Sequence, residues 1–256
     1  MKNYADSFGY EWNKHKTTQM TDLAYATATF IEKTGLDAEH IKGKRVLDAG
    51  CGVGRFTQVV SHFGGEVVGV DLSDSVHVAK ENTKEFNNVT IVQGDINDLP
   101  FEDESFDVVF SIGVLHHTPN TKQSFNSLYR LLKKGGIMAI WVYSNEGTST
   151  KAFNLVSSVH RLYTTRMNKD LLYSLCKLAI PLYYLHRIPI LRYLTIALFP
   201  CSIDPKPQWR VLGTFDWYSP KYQWKHSYKE VEGWFRELGF TSIERLGFPV
   251  AVRGVK

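Results

Sequence analysis

Val46-Leu47-Asp48-Ala49-Gly50-Cys51-Gly52-Val53-Gly54-Arg55-Phe56 is the stretch on which the reading of this chain turns. An apolar run closes on an acid, three glycines alternate, and a helix-compatible segment follows. Physically this is a buried parallel strand, a tight turn and a helix start. Glycine reaches positive φ and lets a ligand approach the backbone. The helix start presents unpaired N–H groups and the positive end of a dipole. A glycine turn alone is a weak signal, and two companions strengthen it. Val67-Val68-Gly69-Val70-Asp71 is a second buried strand that sets Asp71 21 residues after Gly50. At that spacing a carboxylate accepts hydrogen bonds from a ribose in a doubly wound sheet. Gln93-Gly94-Asp95-Ile96 places a third acid after a third strand.

The glycine pattern is G-x-G-x-G, not the G-x-G-x-x-G of a dinucleotide fold. A pyrophosphate needs a clear helix N-terminus, whereas Asp48 adds negative charge beside this one. A carboxylate there repels a diphosphate and welcomes an ammonium or sulfonium group, which argues against a nicotinamide-dependent enzyme. The segments LDAGCGVGRF, VVGVDLS, QGDINDLPF, FDVVFSIGVLHH and LLKKGGIMAIWVY follow one another over residues 44–143. In content and order they resemble the class I S-adenosylmethionine (SAM)-dependent methyltransferases. The subgroup they resemble is methyltransferase type 11, with its small-molecule enzymes of the ubiquinone and menaquinone kind.

Around this core the pattern alternates strand and helix, which implies a parallel sheet with helices on both faces. Strands are expected at about 44–48, 66–70, 89–92, 106–111 and 137–143, with helices at 20–34, 53–62, from Asp74, and at 120–133. Lys133-Lys134-Gly135-Gly136 reads as the end of that last helix. Ser227-Tyr228-Lys229-Glu230 is a capping box opening a helix through Leu238, and the tail reads as a closing strand pair. The fold expected is α/β, a Rossmann-like doubly wound seven-stranded sheet whose last strand is antiparallel, as the resemblance implies. A helical lid insert follows strand five. The chain reads as one methyltransferase domain over 1–256, with an N-terminal arm and helix (1–43), a SAM-binding core (44–148), a helical insert and acceptor lid (149–226) and a closing helix and strands (227–256).

The insert breaks the rhythm. Leu171, Leu172, Leu175, Leu178, Ala179, Leu182, Tyr183, Leu191, Leu194 and Leu198 suggest two or three helices interrupted at Pro181 and Pro189. Residues 151–200 hold seven basic side chains (Lys151, Arg161, Arg166, Lys169, Lys177, Arg187, Arg192) against one acid, Asp170, while acids outnumber bases elsewhere. A basic amphipathic segment of this kind suits a peripheral membrane or lipid contact, and equally a lid whose bases face water. Three cysteines (Cys51, Cys176, Cys201) form no paired framework, which points to a reducing compartment. The first residues have no apolar core, and no uncharged apolar run approaches the length of a membrane span. The expected location is cytoplasmic, with or without a peripheral attachment to the membrane.

Ligands in open α/β sheets bind outside the carboxyl ends of the strands. Asp48 to Gly54, Asp71, Asp95 with Ile96, and Ser111 to His117 all fall there. The resemblance implies that Gly50, Gly52 and Gly54 wrap the amino acid portion of SAM, with Asp48 near its amino group. It implies that Asp71 holds the ribose, Leu72 packs on the adenine, Asp95 and the Ile96 N–H read its edge, and Ser111 joins the cofactor set. S-adenosylhomocysteine is then the product. His117 and His116 stand where the acceptor meets the methyl group in this family, as a general base or as lining, since histidine titrates near neutrality. Phe8, Tyr10 and Trp12 read as a cap on the cleft, with Tyr10 and Trp12 against the substrate, or as anchors of the arm. Asp216, Tyr218 and His226 lie in a segment with D-x-x-S-P, a loop that either lines the acceptor pocket or staples the last helix.

Absent motifs prune the chemistry. No (D/N)-P-P-(Y/F) and no Pro-Cys follow strand four, which argues against amino methylation of adenine or glutamine and against C5-cytosine chemistry. Metal-ligand spacing is missing, so no metal is expected. The leading reading is methyl transfer to a small-molecule acceptor, by preference at oxygen, derived from a sugar, a lipid or a secondary metabolite. Nucleic acid is the less favoured partner, through an RNA methyltransferase that uses the basic insert on phosphates. A non-catalytic SAM-binding protein is the third reading, and the sequence leaves the oligomeric state open.

Overall fold

The computed structural model describes residues 4–20, 22–146, 148–188, 191, 194–195 and 199–256, over 148–153 by backbone alone. Pro189, Arg192 and Leu198, and the side chain of Lys151, lie outside the described residues. The chain forms two compact units, Met1–Ser144 with Tyr222–Lys256, and Asn145–Lys221.

The first unit is built on one sheet of β1 (Arg45–Ala49), β2 (Glu66–Asp71), β3 (Val89–Gln93), β4 (Phe106–Ile112), β5 (Leu132–Trp141), β6 (Thr241–Arg245) and β7 (Ala251–Val255). The strand order is β3-β2-β1-β4-β5-β7-β6. The first five strands run parallel, and β7 lies antiparallel between β5 and β6. Order reverses between β1 and β4, so this is the crevice at which such a sheet takes its ligand. Alternation puts successive side chains on opposite faces. Val46, Val67 and Val108 join one buried cluster with Phe30, Ile41 and Val59, while Leu47, Val68 and Val109 join the other with Phe125, Leu128 and Phe235.

The helices of this unit that precede the insert are α1 (Asp6–Lys14), α2 (Leu23–Thr34), α3 (Ala38–Ile41), α4 (Arg55–His62), α5 (Ser75–Thr83) and α6 (Thr121–Leu131). Asp22 caps α2 by accepting from the Tyr25 N–H, and Gly35 closes it in the left-handed region. One helix end differs from the expectation. α6 stops at Leu131, and Lys133 to Gly136 already belong to β5. Leu132 is extended, fully buried and paired with Phe106, so its apolar side chain claims the sheet before glycine can end the helix.

In the second unit α7 (Thr148–Thr164), α8 (Lys169–Cys176) and α9 (Ala179–His186) each pack on a fourth helix, α10 (Pro207–Tyr218). The segment expected as a loop is thus the end of a helix up to Tyr218. Proline at its first position favours the start, and Arg210, Leu212, Phe215 and Tyr218 are buried. The Arg210 guanidinium donates to the carbonyls of Asp204, Ile180 and Pro205 and lies 3.7 Å from the Tyr183 ring centroid. Tyr222 to His226, expected within the insert, belong with the sheet unit. The last helix is α11 (Tyr228–Glu237), where the Ser227 hydroxyl accepts from the Glu230 N–H. Among the described residues no helix is long and apolar enough to cross a membrane.

Phe125 is fully buried against Trp234, Phe235 and Phe240, which joins α6, α11 and the sheet. We expect Phe125→Ala to cost about 3–5 kcal/mol in denaturant unfolding, the usual range for deleting a buried ring.

Candidate active site

The turn after β1 is built by its neighbour. The N–H groups of Gly50 and Cys51 both donate to the Val70 carbonyl, at 2.7 and 2.9 Å, and Gly52 donates to Asp71 Oδ2 at 3.0 Å. Such a path needs positive φ, and Gly50, Gly52 and Gly54 have φ of 96°, 54° and 87°. A Cβ at Gly50 would stand 2.3 Å from Val114 Cγ2. The turn therefore has no room for a side chain at its first glycine.

An acid stands at or just beyond the carboxyl end of each of the first three strands. Asp71 is half-buried, and its second oxygen accepts from the Ser73 N–H and hydroxyl at 2.9 and 2.7 Å. Asp95 Oδ1 accepts from the Asn97 N–H and side-chain amide and, at 3.1 Å, from the Tyr4 hydroxyl. Burial together with Asp95 raises the Tyr4 pKa, so its hydroxyl stays a donor. Asp48 is buried and accepts from the Thr57 hydroxyl at 2.6 Å. Burial pushes its carboxyl up to about 7, against the pull of Thr57 and with a further push from Asp71. Burial first, and then the same two acids, raise the Cys51 thiol well above its ordinary range and keep it protonated and unreactive. Leu72 is half-buried beside Asp71, Ile96 puts its side chain into the core, and Ser111 is buried with its hydroxyl on the Ala49 carbonyl.

At the end of β4 a short turn, Leu115–His117, carries both histidines inward. His117 Nδ1 lies 2.8 Å from the Tyr222 carbonyl. A carbonyl only accepts, so Nδ1 carries the proton, and in the neutral ring Nε2 holds the lone pair. His116 is fully buried, neither ring nitrogen has a hydrogen-bond partner among the described residues, and its ring centroid is 3.9 Å from that of Tyr143 and 4.1 Å from that of His117. Burial first, then the neighbouring His117, His226, Lys33 and Lys225, drive its pKa well down, so it is a neutral imidazole. Residues 222–226 hold this corner in place, for the Trp224 N–H donates to the His116 carbonyl and its indole N–H to Thr118.

The N-terminal arm closes over the same loops. Tyr4, Phe8 and Trp12 recur every fourth residue, which sets them on one side of a helix. Tyr4 meets Asp95, Phe8 packs 4.9 Å from the His117 ring centroid, and the Trp12 indole lies against Gly52. Gly9 borders Ser73 and Asp74. One helix and its preceding turn thus touch the ends of β1, β2, β3 and β4.

Four of the residues expected in an acceptor pocket make the following contacts. Both His226 nitrogens are used, Nδ1 at 2.9 Å from Glu230 Oε1 and Nε2 at 3.0 Å from Thr121 Oγ1, and the ring packs edge-on to Trp234. It fastens the start of α11. Tyr218 is buried inside the second unit, with its hydroxyl on the Pro200 carbonyl, and Asp216 is a half-buried member of the same helix. Tyr10 sits at another phase of α1, with the Lys14 ammonium 5.4 Å from its ring centroid. Tyr4, Tyr143 and Tyr222 were not among the expected site residues. The repeat of Tyr4, Phe8 and Trp12 is the signal that could have found the first, whereas Tyr143 and Tyr222 come to the histidines only through the fold.

The family model described as "Methyltransferase domain" matches residues 47–140. A demethylmenaquinone methyltransferase of Staphylococcus haemolyticus (strain JCSC1435) is 37% identical over 130 residues, 48% of this chain and 52% of its own. A sterol methyltransferase-like 2 protein of Botryococcus braunii is 33% identical over 147 residues, 56% of this chain and 37% of its own. The chain thus spans about half or less of the length of these curated relatives. A SAM-dependent methyltransferase of Thermotoga maritima, described as a possible histamine N-methyltransferase, has the same fold across 100% of both chains, with a TM-score of 0.57 and 14% identity. Residues 47–140 thus match a class I SAM-dependent methyltransferase domain. The residues present fit that cofactor, with a turn that excludes side chains at Gly50, carboxylates after β2 and β3, and a buried acid beneath them.

Two outcomes check this assignment. Asp71→Asn should weaken SAM and S-adenosylhomocysteine binding by about tenfold or more in calorimetry, in keeping with a charged hydrogen bond of about 1.5–3 kcal/mol. Because Asp48 titrates near 7 when folded and near 4 when unfolded, folding takes up a proton between those values. Its contribution to stability therefore falls as pH rises through that window. Asp48→Asn should lose less stability between about pH 5 and about pH 8 than the parent protein in denaturant melts.

Proposed function

We propose that the protein is an active methyltransferase that uses SAM to methylate a hydroxyl of a lipophilic small molecule, with His117 taking the hydroxyl proton. The observation that carries this reading is the His117–Tyr222 contact, which fixes the tautomer and orientation of the ring at the end of β4. A group so placed accepts a proton without reorganising. His116 supports it, since a buried imidazole with neither nitrogen paired is costly unless a ligand supplies a donor or an acceptor. Bound SAM supplies a methyl group activated by a sulfonium, so positioning and proton removal are what remain for the chain to provide. The names of two relatives, for demethylmenaquinone and for sterols, support an apolar acceptor.

The test is transfer of labelled methyl from SAM into host-cell extract, split into lipid, aqueous, RNA and protein fractions. Label in the lipid fraction is the expected outcome. Label in RNA would overturn the acceptor class, and intact SAM binding with no label in any fraction would favour a non-catalytic SAM-binding protein. With the acceptor in hand, His117→Ala should lower kcat by about a hundredfold or more while leaving SAM affinity within about twofold. An unchanged kcat would remove the general base.

A further inference from the structure

We propose that the second unit docks on an anionic lipid surface through the outward faces of α7, α8 and α9. The first observation is that α7 is inside out. The side facing its own unit is polar. Arg161 donates to the carbonyls of Trp217 and Pro220 at 2.8 and 2.6 Å, the Thr164 hydroxyl donates to the Tyr218 carbonyl at 3.0 Å, and Ser157 is buried. The other side is apolar and open. Leu155, Val159, Leu162 and Tyr163 are 69%, 53%, 58% and 72% exposed. Their spacing of four, seven and eight residues is one helical stripe, which a helix ordinarily turns inward.

A second stripe repeats the pattern on α8 and α9. Leu172, Cys176, Ala179 and His186 are buried, whereas Leu171, Leu178 and Leu185, seven residues apart, are 53%, 49% and 39% exposed. Two apolar stripes left open on one small unit mark an interaction site.

Charge selects the occupant. Residues 151–200 hold seven bases and the single acid Asp170, and Arg166, Lys177 and Arg187 are exposed on the helices or turns that carry the stripes. A second copy of this chain would set one basic surface against another. Nucleic acid would satisfy the bases but would give the leucines nothing to bury against. A membrane surface with anionic headgroups satisfies both, with aliphatic side chains at the acyl boundary and long basic side chains reaching the headgroups. Since none of the described helices is long and apolar enough to span a bilayer, the contact is peripheral. It gives a lipophilic acceptor a place to be met, but it does not depend on methyl transfer.

The test is co-sedimentation of the full chain with vesicles of phosphatidylcholine alone or mixed with phosphatidylglycerol. We expect binding to the mixed vesicles at low salt, little binding to phosphatidylcholine alone, and loss of binding at high salt. L155E combined with L162E, and separately R166E combined with K177E and R187E, should each reduce binding about tenfold or more. These side chains are exposed, so thermal melts and SAM binding should stay at the parent's values. No binding to the mixed vesicles at low salt would overturn the proposal. So would binding that the leucine substitutions leave untouched, RNA that competes the protein off the vesicles, or self-association in light scattering that the same substitutions abolish. Vesicle binding that fails while SAM binding and methyl transfer persist would sink this proposal alone.

Discussion

Three consecutive amides, those of Gly50, Cys51 and Gly52, are donated to the end of β2, two of them to one carbonyl and the third to the Asp71 carboxylate. That clamp is what the rest of the site depends on. It lets the chain leave β1 and enter α4 without a side chain in the crevice, and it orients Asp71 from the same contact. Asp48 and Ser111 extend it, one tying β1 to α4 through Thr57 and the other tying β4 to β1 through the Ala49 carbonyl. Every group involved is backbone or a short polar side chain, so the geometry is stiff and costs little side-chain entropy to hold.

The end of β4 is organised differently. Its two histidines are held by residues that follow a long excursion of the chain, for Tyr222 and Trp224 return more than a hundred positions after His117 to bind the carbonyls and the ring there. One imidazole is fixed in tautomer by a carbonyl, and its neighbour is stacked on Tyr143 without a polar partner. The glycine-turn side of the crevice is thus set by local sequence, and the histidine side by a long-range clasp.

That difference explains what the sequence could and could not tell. The alternation of β1, β2 and β4, the glycine turn and the acids after the strands are local patterns with known periods, so the sheet and the residues gathered at its crevice were readable in order. The antiparallel β7 was readable only through the family resemblance, because a strand five residues long says nothing about its neighbours. His226 could be read as lining a pocket or as stapling the last helix, since a histidine beside aromatics carries no sign of how its nitrogens are used, and here Glu230 and Thr121 take both. The basic, leucine-rich character of 151–200 was plain. Periodicity gives two faces to α7 but does not say which turns outward, and the outcome is the reverse of the usual one.

The arm formed by Tyr4, Phe8 and Trp12 has a consequence for how the molecule is made. Its contacts lie at Gly52, Ser73, Asp95 and His117, so α1, once synthesised, has nothing complete to rest on until about a hundred further residues have been added. At ribosomal speeds of roughly 5–20 residues per second that is a wait of about 5–20 s. Over that interval the helix is short for independent stability in water, and its rings have no core to join. This arm therefore settles on the sheet unit's crevice only after the loops it covers have taken their final form.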